Sequence, residues 1–338
     1  MKNLLICLFV SLLFSSNNLA VAGQFEDATS AYHNKDYDLA FSLLYPLAEQ
    51  GNMQAQQNLG FMYSVGEGVG KDINQAVVWY TKAAEQGDLH AQAILAYMYE
   101  TGLEIPQDYK KAAFWYTKAA EQGDSKAQNN LGLLYRYGLG IKQDDTQAEF
   151  WCKKSALQNN ADAQTNLAII YSEASHYQQA LPWYTKAAGQ GDSMAQFNLG
   201  MMYIKGDGVI KDEKVAFDWL TKAALGGRIE AQRIVAQLYH KGEVIVKDNK
   251  KAIEWYRRAA EQGDSKAQYN LGAMYAGQDD IAIDFMRVYI WTELALVKGF
   301  VEDEKLHDFA ASNLTKNQII EAQKLAKECE LQDYKNCY

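Results

Sequence analysis

The residue types that most often carry catalysis are scattered along this chain. It has five histidines, and no two of them are four residues apart: His33, His90, His176, His240 and His307. Zinc needs three or four converging ligands, so this spacing predicts no metal site. The sequence also contains no G-x-S-x-G elbow, no S-x-x-K and no K-T-G. The sequence therefore predicts a protein that is not an enzyme and has no metal or cofactor, and a cell-wall or other hydrolase is the alternative from another class.

Glycine-rich stretches are the other candidate for chemistry, because such loops can cradle phosphates. They occur at Gly66-Glu67-Gly68, Gly138-Leu139-Gly140 and Gly206-Asp207-Gly208. None has a preceding strand pattern or a Walker lysine, and all three recur at one place in a repeat. We interpret them as turns between helices, where glycine supplies the positive φ that a tight reversal needs.

Charge and composition narrow the possible partners. The chain has 338 residues, 33 Lys+Arg against 42 Asp+Glu, a net charge of −9 and only 3 prolines. Nucleic acids and anionic membranes need a concentrated cationic face, and this chain has no basic run. The composition favours helices and excludes wholesale disorder.

The N-terminus has the pattern of a secretory signal peptide. A short positive start is followed by the apolar run Leu4 to Phe14 and by Ala20-Val21-Ala22, an A-x-A cleavage site. We expect cleavage after Ala22, so that residues 1–22 are removed and no transmembrane anchor remains. The predicted location is the periplasm or the outside of the cell, where disulfides can form.

The rest of the chain is one unit copied many times. All seven tryptophans lie 36 residues apart, except for one spacing of 32: Trp79, Trp115, Trp151, Trp183, Trp219, Trp255 and Trp291. An Ala-Gln pair and a tyrosine recur with the same spacing. Length alone suggests about two domains, but a repeat of this kind favours one solenoid. The tryptophans are predicted to be core, with a carbohydrate-stacking platform as the minority interpretation.

Each unit has the apolar spacing of two helices. Ala55, Leu59 and Met62 begin one stripe, which we call helix A, and a second stripe around Trp79 defines helix B. Aspartates are predicted to cap the helices, as Asp72 does for a helix B. One position of helix A, Gly60 in the first of the seven units, is Gly or Ala in every unit, which predicts close approach of another helix there. The fourth unit is four residues short and must make a tighter turn.

These boundaries give four segments. We predict a signal peptide over residues 1–22, a degenerate helical hairpin over 23–51, seven repeats over 52–299, and capping helices with a tail over 300–338.

A unit such as Asp124 to Tyr135, followed by Gly138-Leu139-Gly140, Ala148 and Trp151, resembles the Sel-1-like repeat, a relative of the tetratricopeptide repeat. The resemblance covers roughly residues 25 to 330. It implies an all-α fold, a right-handed α-solenoid (superhelix) of antiparallel helix pairs with A helices lining the concave face. It also implies an adaptor in bacterial envelope assembly, secretion, host interaction or toxin neutralisation.

One series of residues is not explained by helix formation alone. Asparagine, a mediocre helix former, precedes the helix-A leucine in five of the seven units: Asn58, Asn130, Asn166, Asn198 and Asn270. In tetratricopeptide relatives this position faces the groove and can bond a peptide, and a packing role between hairpins is the equal alternative. Variable aromatic and cationic residues on the same face are Lys126, Arg136, Phe197, Arg233, Lys266 and Tyr269.

The functional prediction is a non-enzymatic scaffold that binds a protein or peptide along its concave face, with no nucleic acid and no small-molecule cofactor. The alternative within binding proteins is an immunity protein that neutralises an exported toxic enzyme.

Three cysteines remain after cleavage. Cys329 ends a helix and Cys337 lies in a polar tail that could fold back, so a Cys329–Cys337 bridge is predicted, with Cys152 as a buried free thiol.

Overall fold

In the computed structural model the described residues are 23–277, 281–300, 304–335 and 337. They form two compact units, with the boundary between Ala163 and Gln164. The described ranges contain helices and no strand, which confirms the predicted all-α solenoid of helix pairs. The signal peptide predicted for residues 1–22 lies outside the described residues.

The first unit is a series of short antiparallel helices. Its helices are α1 (23–33), α2 (Tyr37–Glu49), α3 (Met53–Val65), α4 (Ile73–Glu85), α5 (Leu89–Thr101), α6 (Tyr109–Glu121), α7 (Ser125–Tyr137) and α8 (Asp145–Leu157). Odd numbers are A helices and even numbers are B helices. From α3 onwards each A helix packs on the B helix that follows it and on the B helix before it.

The second unit continues the same alternation and ends in two further helices. They are α9 (Ala161–Glu173), which starts just before the boundary, α10 (Tyr177–Gly189), α11 (Ser193–Lys205), α12 (Glu213–Leu225), α13 (Ile229–Lys241), α14 (Asn249–Ala260), α15 (Ser265–Tyr275), α16 (Phe285–Val297), α17 (Glu304–Ser312) and α18 (Lys316–Leu331). Both α17 and α18 pack on α16, so they cover the last pair as end caps do.

Helix starts and stops follow the repeat. Asp72 at the start of α4 accepts a hydrogen bond from the Gln75 amide, and Asp88 does the same for Ala91 at the start of α5. The predicted tight turn of the fourth unit is three residues long, and Ser175 within it has a φ of 61°. Arg228 is an exception, because it stands at the start of α13 without a side-chain capping bond.

Buried glutamines connect consecutive helices. Gln92 on α5 donates from Nε2 to the Ala84 carbonyl of α4 (2.9 Å) and accepts at Oε1 from Gln122 (2.7 Å), which follows α6. The bond to the preceding B helix recurs at Gln56, Gln128, Gln196, Gln232 and Gln268. Each of these glutamines fixes its A helix to the preceding B helix, because an unmade buried hydrogen bond is costly.

The small residue of helix A permits close approach of the helix B that follows. The group nearest to it is the side chain of the residue after the helix-B tryptophan. A Cβ on Gly60 would lie 2.7 Å from Tyr80 Cδ1, and one on Gly132 would lie 2.5 Å from Cys152 Sγ. Helix-B backbone is also near, with Ala148 O at 3.2 Å from that second Cβ position. The tryptophan itself does not fill this space.

The tryptophans differ in burial. Trp79, Trp115, Trp151, Trp255 and Trp291 are buried, whereas Trp183 and Trp219 are half-buried. A lysine one turn on lies over several of the rings, as Lys222 Nζ does 4.1 Å from the Trp219 ring centroid. The prediction of a uniform tryptophan core is therefore correct for five rings and only partly correct for two.

The C-terminal end carries a disulfide between Cys329 and Cys337. It holds the tail against α18, and Tyr334 in the enclosed loop lies under the Lys298 ammonium at 4.2 Å. Cys152 is a buried free cysteine, and burial raises the pKa of its thiol to about 12.

Candidate functional site

Three cavities are lined mostly by residues at or near the A helices. In the first unit a cavity of about 850 Å³, the unit-1 groove, is lined by α5, α7, the start of α9 and Tyr116 of α6. In the second unit a cavity of about 400 Å³, the unit-2 pocket, is lined mainly by α9 and α11. A third cavity of about 190 Å³ lies between the first helices, beside Asn58 and Phe61.

The unit-1 groove combines apolar, aromatic and charged side chains. Ile94 and the exposed Tyr97 come from α5, and Lys126 and Asn130 come from α7. Lys126 is exposed and contributes to the lining of the groove. Since residues 93, 94, 97, 126 and 130 fall at helical spacing on two neighbouring A helices, this surface is continuous along both.

A chain of hydrogen bonds fixes the polar part of this groove. Asn130 donates from Nδ2 to the Tyr116 hydroxyl (2.9 Å), and that hydroxyl donates to Glu100 Oε2 (2.5 Å). Burial, and then the Glu100 carboxylate, raise the pKa of Tyr116 above its ordinary value. Asn130 also accepts from Asn129 (3.3 Å), so its amide keeps one N–H and one lone pair for a ligand.

The lining of the unit-2 pocket contains flexible methionine side chains, which the described lining of the unit-1 groove lacks. Met194, Met201 and Met202 contribute thioether side chains, and Asn198 lies on the same face of α11. The Asn198 amide has no hydrogen-bond partner among the residues that the structure describes. The hydroxyl of Ser172, at the end of α9, is buried and likewise unpartnered.

The predicted asparagine series occupies equivalent places but not one shared site. All five amides are half-buried on A helices. Asn58, Asn130 and Asn198 each line a different cavity, whereas Asn166 and Asn270 line none of those described above. Within the units, these three amides therefore line separate cavities and not one shared site.

The variable positions also separate. Lys126 lines the unit-1 groove, but Arg136 does not; it lies beside the Tyr137 ring at 5.7 Å. Arg233 pairs with Asp264 at 3.5 Å. Phe197 lies under the Arg228 guanidinium at 5.3 Å, and Tyr269 contacts Phe300 with ring centroids 5.2 Å apart. Lys266 is exposed on α15.

The sequence analysis did not predict that methionines line the unit-2 pocket, nor which groups bond to Asn130. The sequence did contain one signal of a difference between the sites, because the residue after the repeated tyrosine changes from Glu100 to Arg136 to Ser172. No group of three or more metal-ligating side chains occurs in the part of the chain that the structure describes. Among those same residues, every helix is too short or too polar to cross a bilayer.

The sequence model of the Sel1 repeat matches eight segments: residues 25–52, 54–88, 89–124, 125–160, 161–192, 193–227, 229–264 and 265–294. The chain belongs to the Sel1 repeat family. The first match falls on the segment that the sequence predicted to be a degenerate hairpin.

Solved structures agree with this assignment. A Sel1 repeat protein from Oxalobacter formigenes is 30% identical, with a TM-score of 0.72 and coverage of 88% of this chain and 90% of that one. A protective antigen present in uropathogenic Escherichia coli strains, which displays an SLR fold, is 29% identical with a TM-score of 0.59, covering 93% of this chain and 78% of that one. A search of curated proteins finds no match. The Sel1 scaffold of this chain is suited to protein interaction.

Proposed function

We propose that this protein is a non-enzymatic scaffold that binds an extended segment of a protein partner along its A helices, in the periplasm or outside the cell. The observation that carries this proposal is the unit-1 groove. It places the partly bonded amide of Asn130, the exposed ring of Tyr97 and the exposed lysine Lys126 on two adjacent A helices.

An extended peptide matches this chemistry. Its backbone alternates donors and acceptors, and the remaining N–H and lone pair of Asn130 can meet one of each. The Tyr97 ring offers a large contact area with little loss of side-chain freedom. Lys126 favours an acidic residue or a free carboxylate in the bound segment.

The proposed location rests on the N-terminal sequence pattern and is consistent with the disulfide. A short positive start, an apolar run and an A-x-A site are typical of exported proteins. The Cys329–Cys337 bridge suits a compartment that permits disulfides.

A crosslinking experiment with a matched control tests the binding face. Tyr97 and Phe114 are both 53% exposed, but Tyr97 lines the groove and Phe114 lies on a B helix outside it. Tyr97→Cys and Phe114→Cys, each carrying a thiol-linked photo-crosslinker, are exposed to envelope and culture fractions of the source cell. We expect Tyr97→Cys alone to capture a partner, with crosslinks in one continuous segment.

Equal capture by both variants would contradict the proposal. Crosslinks spread over several separated segments of one folded enzyme would instead favour the immunity-protein alternative.

A further inference from the structure

The unit-2 pocket is built from the same repeat positions as the polar end of the unit-1 groove. Glu100 and Ser172 each follow the repeated tyrosine of an A helix, Tyr116 and Tyr184 each follow a helix-B tryptophan, and both tyrosines line their cavities. Asn130 and Asn198 each stand 14 residues after that tyrosine. The two sites can therefore be compared position by position.

In the first unit the three positions are connected by hydrogen bonds, through the Tyr116 hydroxyl, from Asn130 to Glu100. In the second unit a serine replaces the glutamate, and its short side chain leaves the Ser172 hydroxyl buried and without a partner. Asn198 is also without a partner among the described residues. Buried polar groups are almost always bonded, so the unmet Ser172 hydroxyl points to a ligand that supplies the missing bond, and the half-buried Asn198 amide at the same cavity can bond the same ligand.

The shape and lining of the cavity indicate what that ligand presents. Its volume is about 400 Å³, which suits a side chain with its adjoining backbone and not a folded domain. Met194, Met201 and Met202 line it, and thioethers adapt to apolar groups of varied shape. Ser172 lines the same cavity from the end of α9.

The charges around the pocket balance. Lys205 and Arg228 are matched by Glu173 and Asp207. Arg228 is in addition paired with Glu230 at 3.2 Å. A strongly charged segment gains nothing from such a rim, whereas an uncharged, apolar side chain meets the methionines without desolvating an unpaired charge.

We infer that the unit-2 pocket anchors one large apolar side chain, such as leucine or methionine, of an extended polypeptide, whose adjoining backbone bonds to Asn198 and Ser172. The Ser172 hydroxyl reaches the ligand by rotation about its χ1 bond. This inference rests on the proposed function that the chain binds an extended segment.

The test needs no knowledge of the natural partner. The probes are N-acetyl-leucinamide, N-acetyl-methioninamide and N-acetyl-serinamide, which share one backbone and differ in side chain. The full chain is labelled with ¹³C at the methionine methyl groups, and each signal is assigned by a single Met→Leu variant. We expect the leucine and methionine amides to shift the Met194, Met201 and Met202 signals saturably, at least tenfold more tightly than the serine amide.

Variants localise the binding. Met194→Trp fills the pocket from a partly exposed position, and Gln54→Trp places the same side chain at the equivalent exposed position of α3. Met194→Trp should abolish the shifts and Gln54→Trp should not. Asn198→Ala and Ser172→Ala should each weaken binding about 2- to 12-fold, the range for one lost hydrogen bond.

Equal shifts with all three probes, shifts confined to methionines outside the pocket, or unchanged binding by a folded Met194→Trp protein would overturn the inference. If Met194→Trp does not fold, unchanged binding by both Asn198→Ala and Ser172→Ala would overturn the inference. Capture of a partner at Tyr97 without amide binding would refute the pocket alone, and amide binding without any partner captured would refute the proposed function alone.

Discussion

The unit-1 groove and the unit-2 pocket are built from equivalent repeat positions. They differ in which hydrogen-bonding groups of their side chains have no partner. In the groove, Glu100 closes a hydrogen-bonded chain through Tyr116 to Asn130, and charged residues line the wall. In the pocket, Ser172 and Asn198 have no hydrogen-bond partner among the described residues, and three methionines lie beside a rim of balanced charge. One substitution after a repeated tyrosine thus decides whether the protein itself occupies part of the asparagine amide, as at Asn130, or leaves the amide without such a bond, as at Asn198.

The cores of the two units provide the comparison with the largest expected effect. Trp151 in the first unit is 8% exposed, whereas Trp219 in the second is half-buried beneath Lys222. Trp151→Ala should lower the free energy of unfolding by about 3–5 kcal/mol, because it leaves a cavity. Trp219→Ala should cost less, about 0.5–3 kcal/mol. Denaturant midpoints measure both, and equal losses would show that burial does not set the difference.

The cysteines also differ between the units. The second unit has a disulfide, and the first has a buried thiol. Cys329→Ser removes a bridge that closes a short loop, so it should cost somewhat under about 3 kcal/mol and loosen the α18 cap. The thiol count of protein isolated from the cell envelope checks the bridge by mass spectrometry. We expect one alkylatable thiol, Cys152, and only after unfolding, whereas three free thiols would show that the bridge does not form.

Exchanging the residue after the repeated tyrosine tests the comparison directly. Glu100→Ser should leave the Tyr116 hydroxyl buried without its acceptor, which costs about 1–3 kcal/mol. Ser172→Glu should close the unit-2 pocket and cut N-acetyl-leucinamide binding at least tenfold. Thermal melts and the methionine methyl titration measure the two effects. A stable Glu100→Ser protein would mean that the hydrogen-bonded chain contributes little.

The smallest effects come from the asparagines themselves. Asn130→Ala loses the bond to Tyr116 and should cost about 0.5–1.5 kcal/mol, whereas Asn198→Ala should leave the melting temperature unchanged. Changing Asn130, Asn166 and Asn198 to alanine together should weaken binding of a captured partner at least tenfold. Lower stability with unchanged affinity would make the series structural, and binding would then have to be sought on the Gly-x-Gly loops.

Much of the fold follows from the sequence because its causes are local. Apolar spacing predicts each helix pair, Asp72 and Asp88 predict helix starts, and the four missing residues predict the tight turn before Tyr177. Close approach at Gly60 was also predictable, although its contact with the Tyr80 ring depends on how two helices cross.

The candidate site was less predictable because its chemistry depends on residues far apart in sequence. An asparagine stands at the same repeat position at 130 and 198. The residue on another helix, a glutamate in one case and a serine in the other, differs between the two sites, and hydrogen bonds connect the asparagine, the tyrosine and that residue only in the first. The Ala-Gln pair was visible as a marker of the repeat. Its role in bonding neighbouring helices required the positions of main-chain carbonyls such as that of Ala84.

The buried glutamines have a consequence for how such a protein can evolve. Gln92 bonds to a main-chain carbonyl and to another glutamine, so its partners do not depend on surface side chains. A stretch of 36 residues could be duplicated, removed or exchanged by recombination and would meet matching groups at both junctions. The short turns at 34–36 and 174–176 lie between the two helices of a repeat, away from these glutamines. The residues that face a ligand can therefore change during evolution without disturbing the bonds that hold the scaffold together.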